Sequence, residues 1–334
     1  MKIIFYQKKR ELFYSVHILF NIIRKKLPDS IEQKVLYFSL QNLSGLKKIQ
    51  HIFSVSRAES ADIHHIVEEI SYAALFMEKK RTIITIHDVM PLYKSDGFRK
   101  LFFKWVWFKL PIARAGYVTT VSNMTKNEIV KYVGCQPSKI RVIYNCISPN
   151  FKPTPKVFNK EKPVILQIGT KPSKNIIRVI NALKGISCKL NIVGRLSDEI
   201  LSLLHQLNID YTCKQDISEQ EIIQQYIDCD MVVFASLFEG FGVPVVEANT
   251  IGRPVVTSNC SALPEIAGEG ACLVDPLNIT SIRTGILRVI NDDVYRDNLI
   301  EAGRINSIRF DANTITNQYL KLYNEVYHNN NLGR

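Results

Sequence analysis

The sequence predicts an α/β protein of two doubly wound domains, each a parallel sheet with helices on both faces. Three observations lead there. The 334 residues exceed what one hydrophobic core usually serves. Short, β-rich apolar runs alternate with amphipathic stretches of helical length, the pattern of strands covered on both sides. A segment with four prolines and several lysines, 149 to 163, interrupts this alternation near the middle. Proline fixes backbone torsion and cannot donate to a ladder, so that segment is a connector.

The elements follow in order. In the first half, KVLYFSL (34–40), ADIHHI (61–66), RTIITIHD (81–88), GYVTTVS (116–122) and IRVIYN (140–145) read as strands. After the connector, VILQIG (164–169), KLNIVG (189–194), DMVVFAS (230–236), PVVTS (254–258) and ACLVD (271–275) repeat the theme more regularly. Two Rossmann-like domains are therefore expected, residues 1–150 and 164–311, joined by a linker at 151–163. A final helix at 312–334 is expected to pack back toward the first domain. In such sheets ligands bind beyond the carboxyl ends of the strands, so the expected site is a cleft where the two domains face each other.

Composition bounds the class. With 46% apolar residues, 15 Gly and 13 Pro the chain reads as globular. The opening MKIIFYQKKRE breaks its apolar run with charge well short of a signal peptide's apolar region, and no later segment holds the ~18 uncharged apolar residues of a membrane span. The seven cysteines include no C-x-x-C pair and no histidine at metal-ligand spacing. They read as reduced thiols in a cytoplasmic protein with no metal site. The net charge of +12 is uneven, since residues 1–150 carry 24 Lys and Arg against 11 Asp and Glu, and the remainder 19 against 20. A basic first half suggests a polyanion, a membrane surface or an acidic substrate as its partner. A solvated, lysine-rich surface is the alternative.

One stretch concentrates chemistry. FEGFGVPVVEA, 238–248, follows the strand DMVVFAS and leads into a helix with Pro244 suited to its first position. Gly240 and Gly242 let the backbone approach a ligand, while unpaired N–H groups at the helix start suit a phosphate. Glu247 is expected in the first helical turn and Glu239 on the loop before it, both as acceptors for sugar or ribose hydroxyls. A carboxylate in a first turn is also favoured by the helix dipole alone.

These residues carry a resemblance. FASLFEGFGVPVVEANTIGRPVVTSNCSALPEIAGEGACLVDP resembles the donor-site signature of glycosyltransferase family 4, retaining enzymes of the GT-B fold. IGTKPSKN (168–175) is similar to that family's phosphate-binding turn and ITIHDVMP (84–91) to its first-domain histidine motif. VTTVSNMTKNEI and KIRVIYNCI resemble the segment leading into the linker, so the likeness covers nearly the whole chain. It implies that Glu247 holds the ribose of a UDP-, GDP- or dTDP-linked sugar and Glu239 the transferred sugar. It also implies that Gly169 and the backbone of Gly240, Phe241, Gly242 and Val243 line the donor, that Lys174 neutralises the departing diphosphate, and that His87 contacts the donor sugar. Ser173 and Thr170 stand where many members carry an arginine, and Lys171 is the candidate second phosphate contact. No glycine-rich loop follows the first strand, which reads on as YQKKRELFYSVH.

The implied reaction is retaining transfer to an acceptor hydroxyl, with His87, Lys174 and Glu239 as catalytic candidates. It needs no metal and no cofactor, and no Asp-x-Asp pair is present. The acceptor is expected to be a saccharide on a polyprenyl-diphosphate lipid, in bacterial polysaccharide assembly of O-antigen, capsule or exopolysaccharide type. A soluble acceptor, or a sugar-nucleotide epimerase on the same fold, is the alternative. FRKLFFKWVWFKLP, 98–111, places Lys100, Lys104 and Lys109 beside Trp105 and Trp107, as a helix resting on an anionic membrane surface would. Together with KKR at 8–10 and RKK at 24–26 it suggests peripheral attachment at the inner face of the cell membrane. A core helix with a basic outer face reads equally well. Nucleic acid is not expected as a partner, since no recognised RNA or DNA motif is present.

Overall fold

The structure, a computed structural model, describes residues 1–9, 15–39 and 44–331. Arg10, part of the KKR run, and residues 11–14 of the segment after the first strand lie outside the described residues. The chain divides into two compact units, one of Met1–Ser148 with Ala312–Arg334 and one of Pro149–Asp311.

The first unit holds six parallel strands, β1 (Lys2–Lys8), β2 (Glu32–Phe38), β3 (Ile63–Ile66), β4 (Thr82–Ile86), β5 (Tyr117–Thr120) and β6 (Ile140–Val142). Their order is β2-β1-β3-β4-β5-β6, which changes direction between β1 and β3. β3 and β4 are buried along their whole length, their isoleucines joined by the buried polar side chains of His64, His65, Thr82 and Thr85. β2 is the edge strand and is more exposed.

The helix Ala312–Asn331 belongs to this first unit. Its apolar side chains fall at 315, 319, 322, 323 and 326, one face of a helix, and pack on Phe5, Phe20 and Ile63. Each fully buried side chain of this size contributes roughly 1.5–3 kcal/mol. Polar pins fix the register of that packing. His65 Nδ1 meets the Tyr323 hydroxyl at 2.8 Å and its Nε2 meets Thr85 Oγ1 at 2.8 Å. Arg141 grips Glu325 with both guanidinium nitrogens at 2.5 and 2.6 Å, tying the helix to β6.

The second unit's strands are β7 (Val164–Ile168), β8 (Lys189–Val193), β9 (Asp210–Lys214), β10 (Met231–Phe234), β11 (Val255–Ser258) and β12 (Cys272–Val274), all parallel. Their order is β12-β11-β10-β7-β8-β9, with the reversal between β7 and β10. Both sheets are thus doubly wound, as the alternation of apolar runs required. β9 is the strand absent from the sequence reading, because DYTCK lies largely exposed at the sheet edge and carries no apolar run. The proline-rich connector is held by this unit, where Thr154 N donates to Ile251 O at 3.0 Å and the buried Arg253 donates to Thr154 O at 2.8 Å.

Candidate functional site

Open α/β sheets bind ligands beyond the strand ends where the strand order reverses, since the loops on either side diverge there and leave a crevice. In the second unit that point lies between β7 and β10, and the loops leaving these strands are 169–175 and 235–242.

After β7 the chain turns at Gly169, whose φ of +84° suits glycine. A Cβ there would stand 3.0 Å from Lys174 Cγ, so the missing side chain is what lets the lysine stem lie across the turn. The turn is anchored from below. Asn175, buried and left-handed at φ +60°, donates to Ala235 O at 2.9 Å and Pro276 O at 2.7 Å. Leu237 N donates to Ser173 O at 2.8 Å, so the two loops form one piece. Lys174 Nζ is thereby held over the Phe234 ring at 4.8 Å and 2.6 Å from Glu239 Oε1.

Glu239 is fixed through its backbone, accepting Ala262 N at 3.3 Å and donating to Ser261 Oγ at 3.1 Å. Phe241 is buried edge-on against Phe310, with ring centroids 5.4 Å apart. Gly242 then starts the helix Val243–Ile251 at φ +120°, where a Cβ would meet Leu263 Cδ2 at 2.7 Å. The structure therefore brings Gly169, Lys174, Glu239, Gly240, Phe241, Gly242 and Val243 to one end of the sheet. Lys171 is exposed on the same turn.

Glu247 departs from the expectation. It is the fifth residue of its helix, in the second turn, and Pro244 is the second residue rather than the first. The helix starts one residue earlier than the sequence suggested because Gly242 occupies the cap, and Glu247 lies one residue deeper in it. At that depth burial pushes the carboxyl up to about 7, and the Tyr226 hydroxyl, donating to Oε2 at 2.6 Å, opposes the shift. Simple helix-end electrostatics do not account for a carboxylate in this place. Tyr226 escaped sequence reasoning because nothing in a tyrosine 21 residues upstream signals a partner in space.

The first unit has its own crevice at its reversal, between β1 and β3. A cavity of about 430 Å³ is lined there by Lys8 at the end of β1, by Glu68 from the loop after β3, by His87 after β4, and by Arg99, Trp107 and Phe108. Glu68 is buried and paired with His17. His87 Nε2 donates to Val67 O at 2.9 Å, which leaves Nδ1 as the acceptor nitrogen, and burial lowers its pKa below the ordinary histidine value.

The aromatic basic segment forms one long helix, Gly97–Phe102, π-helical at Phe103–Lys109, then Leu110–Arg114. Phe98, Leu101, Phe102 and Trp105 stand exposed, Phe98 by 81%, and the Lys109 ammonium lies 4.1 Å over the Trp105 ring. Lys100 leans on the Tyr132 ring and Lys104 is half-buried. Trp107 is a correction. Its ring faces inward, packed on Phe103 at 5.0 Å and Tyr72 at 5.1 Å beside the cavity, because the helix turns residues 103, 107 and 108 toward the sheet. Among the described residues no helix is long and apolar enough to cross a membrane.

Comparison with known proteins agrees with this geometry. The sequence model of the family described as Glycosyltransferase Family 4 matches residues 7–151, and that described as Glycosyl transferases group 1 matches residues 150–306. The O-antigen chain mannosyltransferase RfbU of Salmonella typhimurium is 31% identical over 218 residues, 62% of this chain and 60% of that protein. The N-acetylgalactosamine-N,N'-diacetylbacillosaminyl-diphospho-undecaprenol 4-alpha-N-acetylgalactosaminyltransferase of Campylobacter jejuni is 27% identical over 75% of this chain and 71% of its own. The crystal structure of Anabaena HepE in complex with UDP-glucose superposes with a TM-score of 0.80 at 18% identity, covering 97% of this chain and all of that one.

Proposed function

We propose that this chain, which belongs to glycosyltransferase family 4 and has its GT-B fold, moves a sugar from a nucleotide-sugar donor to an acceptor hydroxyl with retention of anomeric configuration. The observation that carries the reading is the grouping of Lys174, Glu239 and the amino end of the Val243–Ile251 helix at the strand-order reversal of the second unit. A cation and the amino end of a helix suit a diphosphate, and the two carboxylates suit hydroxyls.

In this reading Glu247 accepts the ribose hydroxyls and Glu239 those of the transferred sugar. Lys174 and the helix amides take up charge as the bond from the anomeric carbon to the diphosphate oxygen breaks. The acceptor oxygen attacks from the same face, and its proton passes to the departing diphosphate. Electrostatics already in place do this work, so neither a protein nucleophile nor a metal is required. His87 is proposed to accept a sugar hydroxyl at Nδ1, as a neutral imidazole whose other nitrogen is committed to Val67.

The acceptor is proposed to be a saccharide carried on a polyprenyl diphosphate, in the assembly of a bacterial surface polysaccharide on the cytoplasmic face of the membrane. The names of the two relatives support this pathway. The cavity of the first unit supports it too, because Trp107 offers an apolar ring for a sugar face, Glu68 and His87 offer acceptors, and Lys8 and Arg99 offer cations for phosphate. The exposed face of Phe98, Leu101, Phe102 and Trp105, with its lysines, is proposed to rest on anionic lipid. A second stripe, Leu46, Ile49 and Phe53 beside Lys47 and Lys48, adds to the same tendency.

A panel of UDP-, GDP- and dTDP-sugars tests the donor half of the proposal. One of them should bind and slowly release its nucleoside diphosphate, and Lys174→Ala should abolish the release. Failure of every nucleotide sugar to bind would end this reading.

A further inference from the structure

The Glu219–Asp228 helix, its amino end closed by a reciprocal Ser218–Glu221 capping box, presents Glu219 and Tyr226 seven residues apart on one face. Asn150 donates to Glu219 at 2.9 Å, and Phe151 packs edge-on against Tyr226 with centroids 5.7 Å apart. Both ends of this face are thus clamped by the segment at which the chain enters the second unit. Tyr226 is fully buried, and its hydroxyl has one defined task, donating to Glu247 Oε2 at 2.6 Å. Burial holds the phenol well above its ordinary pKa, so it donates as a neutral O–H.

We propose that Tyr226 is the positioning residue of the nucleotide site, holding one oxygen of Glu247 so that the other is aimed at the ribose hydroxyls. The proposal rests on the reading of Glu247 as the ribose partner. A glutamate side chain has three rotatable bonds, and a hydroxyl fixed in a packed helix removes that freedom before the ligand arrives. The same contact favours the carboxylate over the carboxylic acid, against a desolvation that pushes Glu247 up to about 7. Tyr226 therefore also sets the pH at which the site is competent. Losing it lets the acid form persist to higher pH.

Few other charges act on this carboxyl. The Glu219–Asp228 helix contributes Glu219, which raises its pKa further. Strands β10 and β11 carry no ionisable side chain. On the Asp293–Ser307 helix Arg296 is paired with Asp293 and Arg304 with Glu301, Asp297 is exposed, and the Leu263–Ala267 helix brings Glu265 alone. Among the described residues only Glu219 and the Tyr226 hydroxyl, of these groups, contribute to the shift at Glu247.

The test is calorimetric titration of the full chain with UDP-glucose and GDP-mannose between pH 6 and 8.5. Their diphosphate diesters keep a constant charge over that range, so the protein alone titrates. The unaltered chain should bind more tightly as pH rises through about 7. Tyr226→Phe should bind roughly tenfold more weakly even at pH 8.5, where Glu247 is ionised in both chains and only its aim is lost, and by a further factor near pH 7. Glu247→Gln, which cannot ionise, should bind weakly with no pH dependence. A Tyr226→Phe chain that binds equally well throughout, or that converges on the unaltered chain at pH 8.5, overturns the positioning role. If Glu247→Gln binds as the unaltered chain does, the ribose role of Glu247 fails and this proposal with it.

Discussion

Lys174 Nζ and Glu239 Oε1 are 2.6 Å apart, a part-buried ion pair between the two loops that leave β7 and β10. The lysine proposed for the diphosphate is therefore already engaged by the carboxylate proposed for the sugar. A nucleotide without a sugar must compete with that carboxylate, whereas a nucleotide sugar gives both groups a partner. Glu239→Ala should accordingly leave the affinity for a free nucleoside diphosphate unchanged or tighter. It should weaken the matching nucleotide sugar by roughly 10- to 100-fold, the loss of a charged hydrogen bond. Calorimetry with both ligands on both chains measures this, and equal losses for the two would show that Glu239 only supports the fold.

Gly242 tests the shape of the helix start. At φ +120° with Leu263 Cδ2 2.7 Å from where a Cβ would stand, Gly242→Ala must shift either the helix or the leucine. Strain of this kind costs of order 1–3 kcal/mol. Donor binding should fall at least tenfold even where thermal unfolding shows a folded chain. Normal binding would mean that the backbone here makes no close approach to the ligand.

Acid should also loosen the first unit. Burial lowers His65 to about 3 and His64 to about 4, while both take up protons near 6.5 when unfolded. The unfolded chain then binds more protons below pH 6.5, so stability is full above that pH and falls as pH drops toward 4. At pH 5 the loss is about 2 kcal/mol per histidine. Thermal melts at pH 7.5 and pH 5 should show it, and His65→Gln should reduce the difference between the two pH values whatever it does to the melting point itself. An unchanged difference would show that His65 is protonated in the folded chain.

The membrane proposal rests on the exposed Phe98, Leu101, Phe102 and Trp105 and their lysines. Each basic residue near an anionic surface contributes about 1 kcal/mol, over a Debye length of roughly 8–10 Å. The chain should sediment with acidic vesicles at low salt and stay in solution with neutral vesicles or at high salt. Lys100, Lys104 and Lys109 changed to Glu should abolish sedimentation and leave nucleotide affinity intact. Loss of both together would assign the segment to the fold.

Much of this was legible from sequence, for physical reasons. β3, β4, β10 and β11 are buried on both faces, so the β-branched apolar residues concentrated in and around them announced them. β9 lies at an edge, where DYTCK needs no apolar pattern, and went unseen. The loop FEGFG was legible because glycine, helix start and carboxylate are neighbours in the chain. Glu247 was placed one residue too early in its helix, since Gly242 as cap is a backbone property that the letters do not fix. Tyr226 and Asn175 act across the fold, and their partners are visible only once the strands are ordered.

Activity should also survive EDTA, because Lys174 and the helix terminus are proposed to supply the charge that a divalent ion would otherwise bring to the diphosphate. A rate abolished by the chelator and restored by Mg²⁺ or Mn²⁺ would move that role from Lys174 to a metal.

Transfer from a nucleotide sugar with retention can be followed by time-resolved proton NMR of donor turnover. With water as acceptor, the chain should release the sugar first as the anomer present in the donor, before mutarotation mixes the two, and Lys174→Ala should release none. First appearance of the opposite anomer, or an epimerised sugar still attached to its nucleotide, would contradict the account.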